Sequence, residues 1–73
     1  MARKGMIETE GVVTKIHAGG IHDILLDNGG KIKAKLGGRL RKFRIRVLEQ
    51  DRVRVEVSEA DPTLGLIVFR STP

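Results

Sequence analysis

The sequence predicts an all-β protein: a small five-stranded barrel of the OB type, with a short basic connector or helical turn between the third and fourth strands. Apolar and polar residues alternate with a period of two along most of the chain, as half-buried strands require, because successive side chains leave opposite faces. Glycine and asparagine clusters punctuate these runs at short intervals, and no long helical pattern intervenes. The chain has 73 residues, so it buries only about 60% of its unfolded surface and is read as one OB-fold domain, 1–73. An open sandwich of that size has few residues to cover its edges, whereas closure removes them. The strand count, a long bent first strand and the insertion after the third favour the OB barrel. An SH3-like barrel is the second candidate.

Residues 1–6 read as a short mobile tail, in which Arg3 and Lys4 could touch a phosphate or sit in water. Ile7 to Ile16 forms a long strand with Gly11 inside it, and an interior glycine marks a bulge or a sharp bend. His17 to Gly20 is a turn, and Ile21 to Asp27 the second strand, with Ile24 and Leu26 pointing inward. Asn28-Gly29 predicts a type I′ hairpin turn, which needs positive φ angles. The third strand, Lys31 to Leu36, therefore runs antiparallel to the second. Its lysines 31, 33 and 35 face one way, while Ile32, Ala34 and Leu36 face the other. Gly37 and Gly38 break it, and Arg39 to Lys42 connect onward. Phe43 to Leu48 resumes the alternation, with Arg44 and Arg46 opposite Ile45 and Val47. After a polar turn at residues 49–51, Arg52 to Val57 sends Val53, Val55 and Val57 in, and Arg52, Arg54 and Glu56 out. Ser58 to Gly65 is a loop punctuated by Pro62. Leu66 to Arg70 is the last strand, with Phe69 in the core, and residues 71–73 form a second tail.

The chain holds 14 Lys and Arg against 9 Asp and Glu, a net charge of +5. Eight of those bases lie between Lys31 and Arg46, where no acid stands. A positive surface on an apolar underside calls for a polyanion, which points to nucleic acid or an anionic membrane. No apolar run approaches the roughly 18 residues of a membrane span, and no signal-peptide core follows Met1 to Gly5. A soluble cytoplasmic protein without a membrane partner is expected. There is no cysteine, hence no disulfide or thiolate metal site. His17 and His22 stand apart from any third ligand, so neither metal nor cofactor is expected. The acids show no pairing, no nucleophile has a recognisable base, and no phosphate loop is present, so catalysis has no foothold.

The runs Gly37-Gly-Arg-Leu-Arg-Lys42, Ile45-Arg-Val-Leu48, Asp51-Arg-Val-Arg-Val-Glu56 and Ile67-Val-Phe-Arg-Ser71 resemble bacterial translation initiation factor one. The opening Ile7-Glu8, with Gly11 and Val13, and the hairpin Asp27-Asn28-Gly29 match as well, so the resemblance spans nearly the whole chain. It implies an OB-fold monomer that binds the small ribosomal subunit at the aminoacyl-tRNA site. Such factors contact rRNA of the decoding region and a neighbouring ribosomal protein, and act with the other initiation factors. By the same resemblance, Gly38 to Lys42 inserts toward an rRNA groove, and Arg41 and Arg46 lie against RNA. Arg39, Lys42 and Arg70 match other positions of the basic face, and Lys35 and Arg44 complete the candidate rRNA-binding set. Phe43 either stacks on a base or caps the barrel. The chain departs from the family at Arg44, where an aromatic is usual, and at Gln50, where glycine is. Family aromatics near His22 and Ala60 are missing, and Leu66 replaces a base.

A bland reading accompanies each of these. A basic strand face is ordinarily solvated, which applies most to Lys31, Lys33 and Lys35. Like charges crowded on a glycine-flanked loop repel and call for a counter-charge, which applies to Arg39, Arg41 and Lys42. A general RNA binder of the cold-shock kind would carry aromatic-rich runs that this sequence lacks. A protein adaptor meeting an acidic partner is the third reading.

Overall fold

In the computed structural model, which describes residues 5–61 and 63–71, strand β1 (Met6–His17) is long enough to serve two neighbours. Its first part pairs antiparallel with β4 (Arg52–Ser58), from Met6 opposite Ser58 to Val12 opposite Arg52. Its later part pairs antiparallel with β2 (Ile21–Leu26), from Gly11 opposite Leu26 to His17 opposite Ile21. Gly11 lies where the two ladders overlap. A Cβ there would stand 2.5 Å from the Leu25 carbonyl oxygen, so only glycine lets the backbones come this close. The irregularity in the ladder follows between Val13 and Lys15.

β2 and β3 (Lys31–Leu36) form an antiparallel hairpin, and β5 (Leu64–Arg70) runs parallel to β3 and antiparallel to β4. The barrel closes in the order β1-β2-β3-β5-β4, the OB arrangement, with one short helix α1 (Gly38–Lys42) between β3 and β4. Inside it Val13, Ile24, Val53, Val55 and Ile67 are completely buried, joined by Leu26, Ile32, Ala34 and Val57. Burial of each valine, leucine or isoleucine among them stabilises by about 1.5–3 kcal/mol. Leu40 of α1 and Val47 of the following segment close the cluster.

Several expectations need correction. Phe43–Leu48 forms no strand, although its alternation is real: Val47 is buried and Ile45 packs on the core, while Arg44 and Arg46 are exposed. The reason is local. Arg44 has φ 54°, which an extended strand does not tolerate. Phe69 is not in the core but 54% exposed. Arg54 faces Phe69 and Val55 faces Ile67, so Val68 is an extra residue that shifts the alternation. Glu56, expected outside, is only 7% exposed, because β4 runs between β1 and β5, with Glu8 and Leu66 opposite it on either side.

The hairpin turn also differs. The Gly29 amide donates to the Leu26 carbonyl, that of Leu26 to Gly30, and that of Gly30 to the Asn28 side chain. Gly29 has φ 90°, while Asn28 keeps a negative φ. This is a turn followed by a left-handed glycine, the three-residue alternative to type I′. Met6, assigned to the tail, pairs with Ser58, and the Ser71 amide donates to the Arg52 carbonyl. Residues 1–4, Pro62, Thr72 and Pro73 lie outside the described residues.

Candidate RNA-binding surface

β3 sets the first row of charge. Ile32 and Ala34 are buried, which forces Lys31, Lys33 and Lys35 outward. Lys33 is already engaged, its Nζ lying 3.0 Å from Asp23 Oδ1. The other oxygen of Asp23 is 2.8 Å from His17 Nε2. The His17 bond first, and the Lys33 ammonium second, hold the Asp23 carboxyl below its usual 3.8. That carboxylate stays ionised and keeps Lys33 local. Lys31 and Lys35 have no such partner among the described residues.

α1 is short, so its stability comes from how its ends are tied rather than from its length. The Gly37 amide donates to the Ile67 carbonyl at 2.8 Å, and a Cβ on Gly37 would lie 2.9 Å from that same oxygen. Glycine is what lets the helix start against β5. At the other end the Arg44 amide donates to the Arg41 carbonyl and the Ile45 amide to the Leu40 carbonyl. With Arg44 left-handed and Leu40 and Ile45 on the core side, this is a Schellman closure. Leu40 is 3% exposed, so Arg39, Arg41 and Lys42 are left pointing into solvent. A Cβ on Gly38 would meet nothing; its bare backbone faces open space.

The structure thus brings Gly38, Arg39, Arg41, Lys42, Arg44 and Arg46 together on one well-anchored turn, with Lys35 on the strand that leads into it. Among the described residues none of these cations has a carboxylate within ion-pair distance. Phe43 does not cap the barrel: it is 63% exposed, with Lys42 Nζ 5.7 Å from its ring centroid. A groove of about 560 Å³ is lined by Leu36, Leu40 and His22 together with Arg41, Arg44 and Arg46. The sequence alone gives His22 no place in this groove. It shares the inward parity of Ile24 and Leu26, and its Nδ1 lies 3.2 Å from the Ala34 carbonyl oxygen.

Arg70 stands apart from the group. Its Nε is 3.2 Å from Asp51 Oδ2 and its Nη1 donates to the Arg46 carbonyl. The β1–β4 face is different again. There Arg52 pairs with Glu10 and Asp27, and Arg54 with Glu8 and Glu10, while the Arg54 guanidinium lies 5.7 Å from the Phe69 ring centroid. Positive charge is neutralised on that face and left free on the α1 side. Among the described residues no three His, Asp or Glu side chains converge as a metal ion would need. No helix there is long and apolar enough to cross a membrane.

The chain resembles known proteins in sequence and in fold. The chloroplastic translation initiation factor IF-1 of Pinus koraiensis is 40% identical over 70 residues, which is 96% of this chain and 93% of that protein. The chloroplastic IF-1 of Jasminum nudiflorum is 39% identical over 64 residues, 88% of this chain and 72% of that one. The solution structure of translation initiation factor one from the Wolbachia endosymbiont of Brugia malayi superposes with a TM-score of 0.76 at 33% identity, covering 92% of this chain and 79% of that one. The crystal structure of YjeQ from Thermotoga maritima, at 22% identity and a TM-score of 0.72, covers 88% of this chain and 22% of its own and shares the fold alone. Residues 2–73 match the profile of the family described as translation initiation factor 1A / IF-1. With a closed OB barrel, an exposed basic turn and relatives of this kind, the chain belongs to the translation initiation factor 1A / IF-1 family.

Proposed function

We propose that this protein binds the small ribosomal subunit at the aminoacyl-tRNA site through rRNA of the decoding region. Occupying that site keeps elongator tRNA out while the initiator tRNA is placed. The observation that carries this reading is the cluster of unneutralised cations on the α1 turn. Arg39, Arg41 and Lys42 are held outward by a buried Leu40, and Arg44 and Arg46 follow directly. A guanidinium grips a phosphate or a base edge with two parallel hydrogen bonds, which a lysine cannot reproduce. Gly38 lets the backbone approach closely, so the turn suits the wide, shallow groove of an RNA helix, which is read by shape and phosphate position. The arginine-rimmed groove, with its apolar lining, fits a base turned out of its stack, and the exposed Phe43 offers a second stacking surface.

With two phenylalanines and no tyrosine or tryptophan, electrostatics carries most of the affinity. The function is occupancy, without a chemical step or cofactor. A neighbouring ribosomal protein and the other initiation factors complete the assembly, and the factor works as a monomer in the cytoplasm beside its ribosomes.

Co-sedimentation with purified small subunits across a salt series tests this. If about five cations each displace a condensed counterion, the log–log slope of affinity against salt is roughly −3 to −5. Binding should also survive excess single-stranded oligonucleotide. A slope near zero refutes the electrostatic account, and displacement by the oligonucleotide points to a general RNA binder instead.

A further inference from the structure

Arg70 has the charge of a phosphate ligand and the placement of a strut. It ends β5 opposite Val53, and its side chain is 30% exposed. One guanidinium meets both Asp51 Oδ2, 3.2 Å from Nε in an ion pair that lacks hydrogen-bond geometry, and the Arg46 carbonyl oxygen, to which Nη1 donates at 3.2 Å. The same Asp51 oxygen accepts the Leu48 amide at 2.8 Å, and the Asp51 amide donates back to the Leu48 carbonyl. Asp51 is 7% exposed. Its carbonyl accepts the Val13 amide, and the Gln50 amide donates to the Val13 carbonyl. The stretch from Phe43 to Asp51 has no strand ladder of its own. These contacts tie it to the barrel together with the buried Val47, and Arg44 and Arg46 ride on it.

We propose that Arg70 and Asp51 are positioning residues: together they clamp the segment after α1 so that Arg44 and Arg46 face the RNA, and Arg70 itself grips no phosphate. A phosphate that drew Arg70 away would leave a buried carboxylate without its partner, a costly state. The proposal rests on the RNA-binding reading above and goes further, because it removes one cation from the contact set and gives it a different task.

The test compares the salt dependence of small-subunit binding for the wild type, Arg46→Ala, Arg70→Ala, Arg70→Lys, Asp51→Asn and the Arg70→Ala/Asp51→Asn double variant. Arg46→Ala should weaken binding about tenfold and make the slope shallower by about 1, the signature of a lost phosphate contact. Arg70→Ala should also weaken binding about tenfold yet leave the slope unchanged, since the loosened segment still brings Arg44 and Arg46 to their phosphates once bound and only the cost of ordering it is added. Asp51→Asn should weaken binding too, and the double variant should be no weaker than the worse single one, because both remove one clamp. Arg70→Lys keeps the charge but cannot bridge both acceptors, so it should lose part of the affinity at the same slope; it also serves if the alanine variant fails to fold.

A shallower slope for Arg70→Ala, or tighter binding by Asp51→Asn through a freed Arg70, overturns the proposal. Amide exchange in the free protein decides independently of any partner. Leu48 should exchange faster in Arg70→Lys and Asp51→Asn while Val55 stays protected, and unchanged Leu48 exchange overturns the clamp. Should the wild type not bind small subunits at all, the RNA reading fails, and the exchange result still decides whether the clamp exists.

Discussion

Arg44 and Gln50 are the non-glycine residues with positive φ among those described, at 54° and 73°. An L side chain in the left-handed region costs about 1–2 kcal/mol. Each is held there by a bond pattern that needs the geometry: Arg44 by the closure of α1, and Gln50 by the hydrogen bond its amide donates to the Val13 carbonyl. The factor-one resemblance puts glycine at Gln50, and the backbone supplies the reason. Gln50→Gly should raise stability by about 0.5–1 kcal/mol, after allowing for the greater freedom of glycine in the unfolded chain. Thermal melts would then shift upward by about 4–8 °C for each kcal/mol gained. Arg44→Gly should gain stability by the same route but weaken small-subunit binding, because it removes a cation from the basic turn. A lower melting temperature for Gln50→Gly would sink the strain argument.

At the level of elements, the strands were legible because alternation reports burial directly. Ile24, Leu26, Ile32, Val53, Val55 and Val57 all lie where the period of two puts them. Phe43–Leu48 and Phe69 were not, because one left-handed residue and one extra residue in a ladder leave composition unchanged while redirecting side chains. Arg39, Arg41 and Lys42 could be read as exposed cations; the anchoring of their helix by Gly37 and Leu40 could not. That anchoring sharpens the contrast between turn and strand. Lys33 is held by Asp23, whereas Arg41 is free on a fixed scaffold. Arg41→Ala should weaken small-subunit binding by about 1–3 kcal/mol, more than Lys31→Ala and Lys33→Ala together, with folding unchanged by circular dichroism. Arg41→Lys should recover only part of the loss. Equal losses at Arg41 and Lys31 in the titration would remove the turn as the reading element.

For the whole molecule, closure and segregation of charge are the governing features. Closure was foreseen from strand count and size, and the positive surface from the acid-free run Lys31 to Arg46, whereas neutralisation of the other face was not, since it depends on which carboxylates the barrel brings beside Arg52 and Arg54. Val55→Ala should cost about 1–3 kcal/mol, because a completely buried side chain leaves a cavity that closes only in part. Arg54→Ala should cost less than about 1 kcal/mol, its ion pairs being partly exposed. Urea unfolding of both variants measures the difference, and a costlier Arg54 would place the wrong face of β4 inside. The segregation matters before any contact forms. Acids matched by bases on one side and unopposed bases on the other give the barrel an electric dipole. In the field of a polyanion such a body feels a torque as well as a pull. Near such a partner it should turn as it diffuses and approach with α1 leading, so that few collisions fall on the other face.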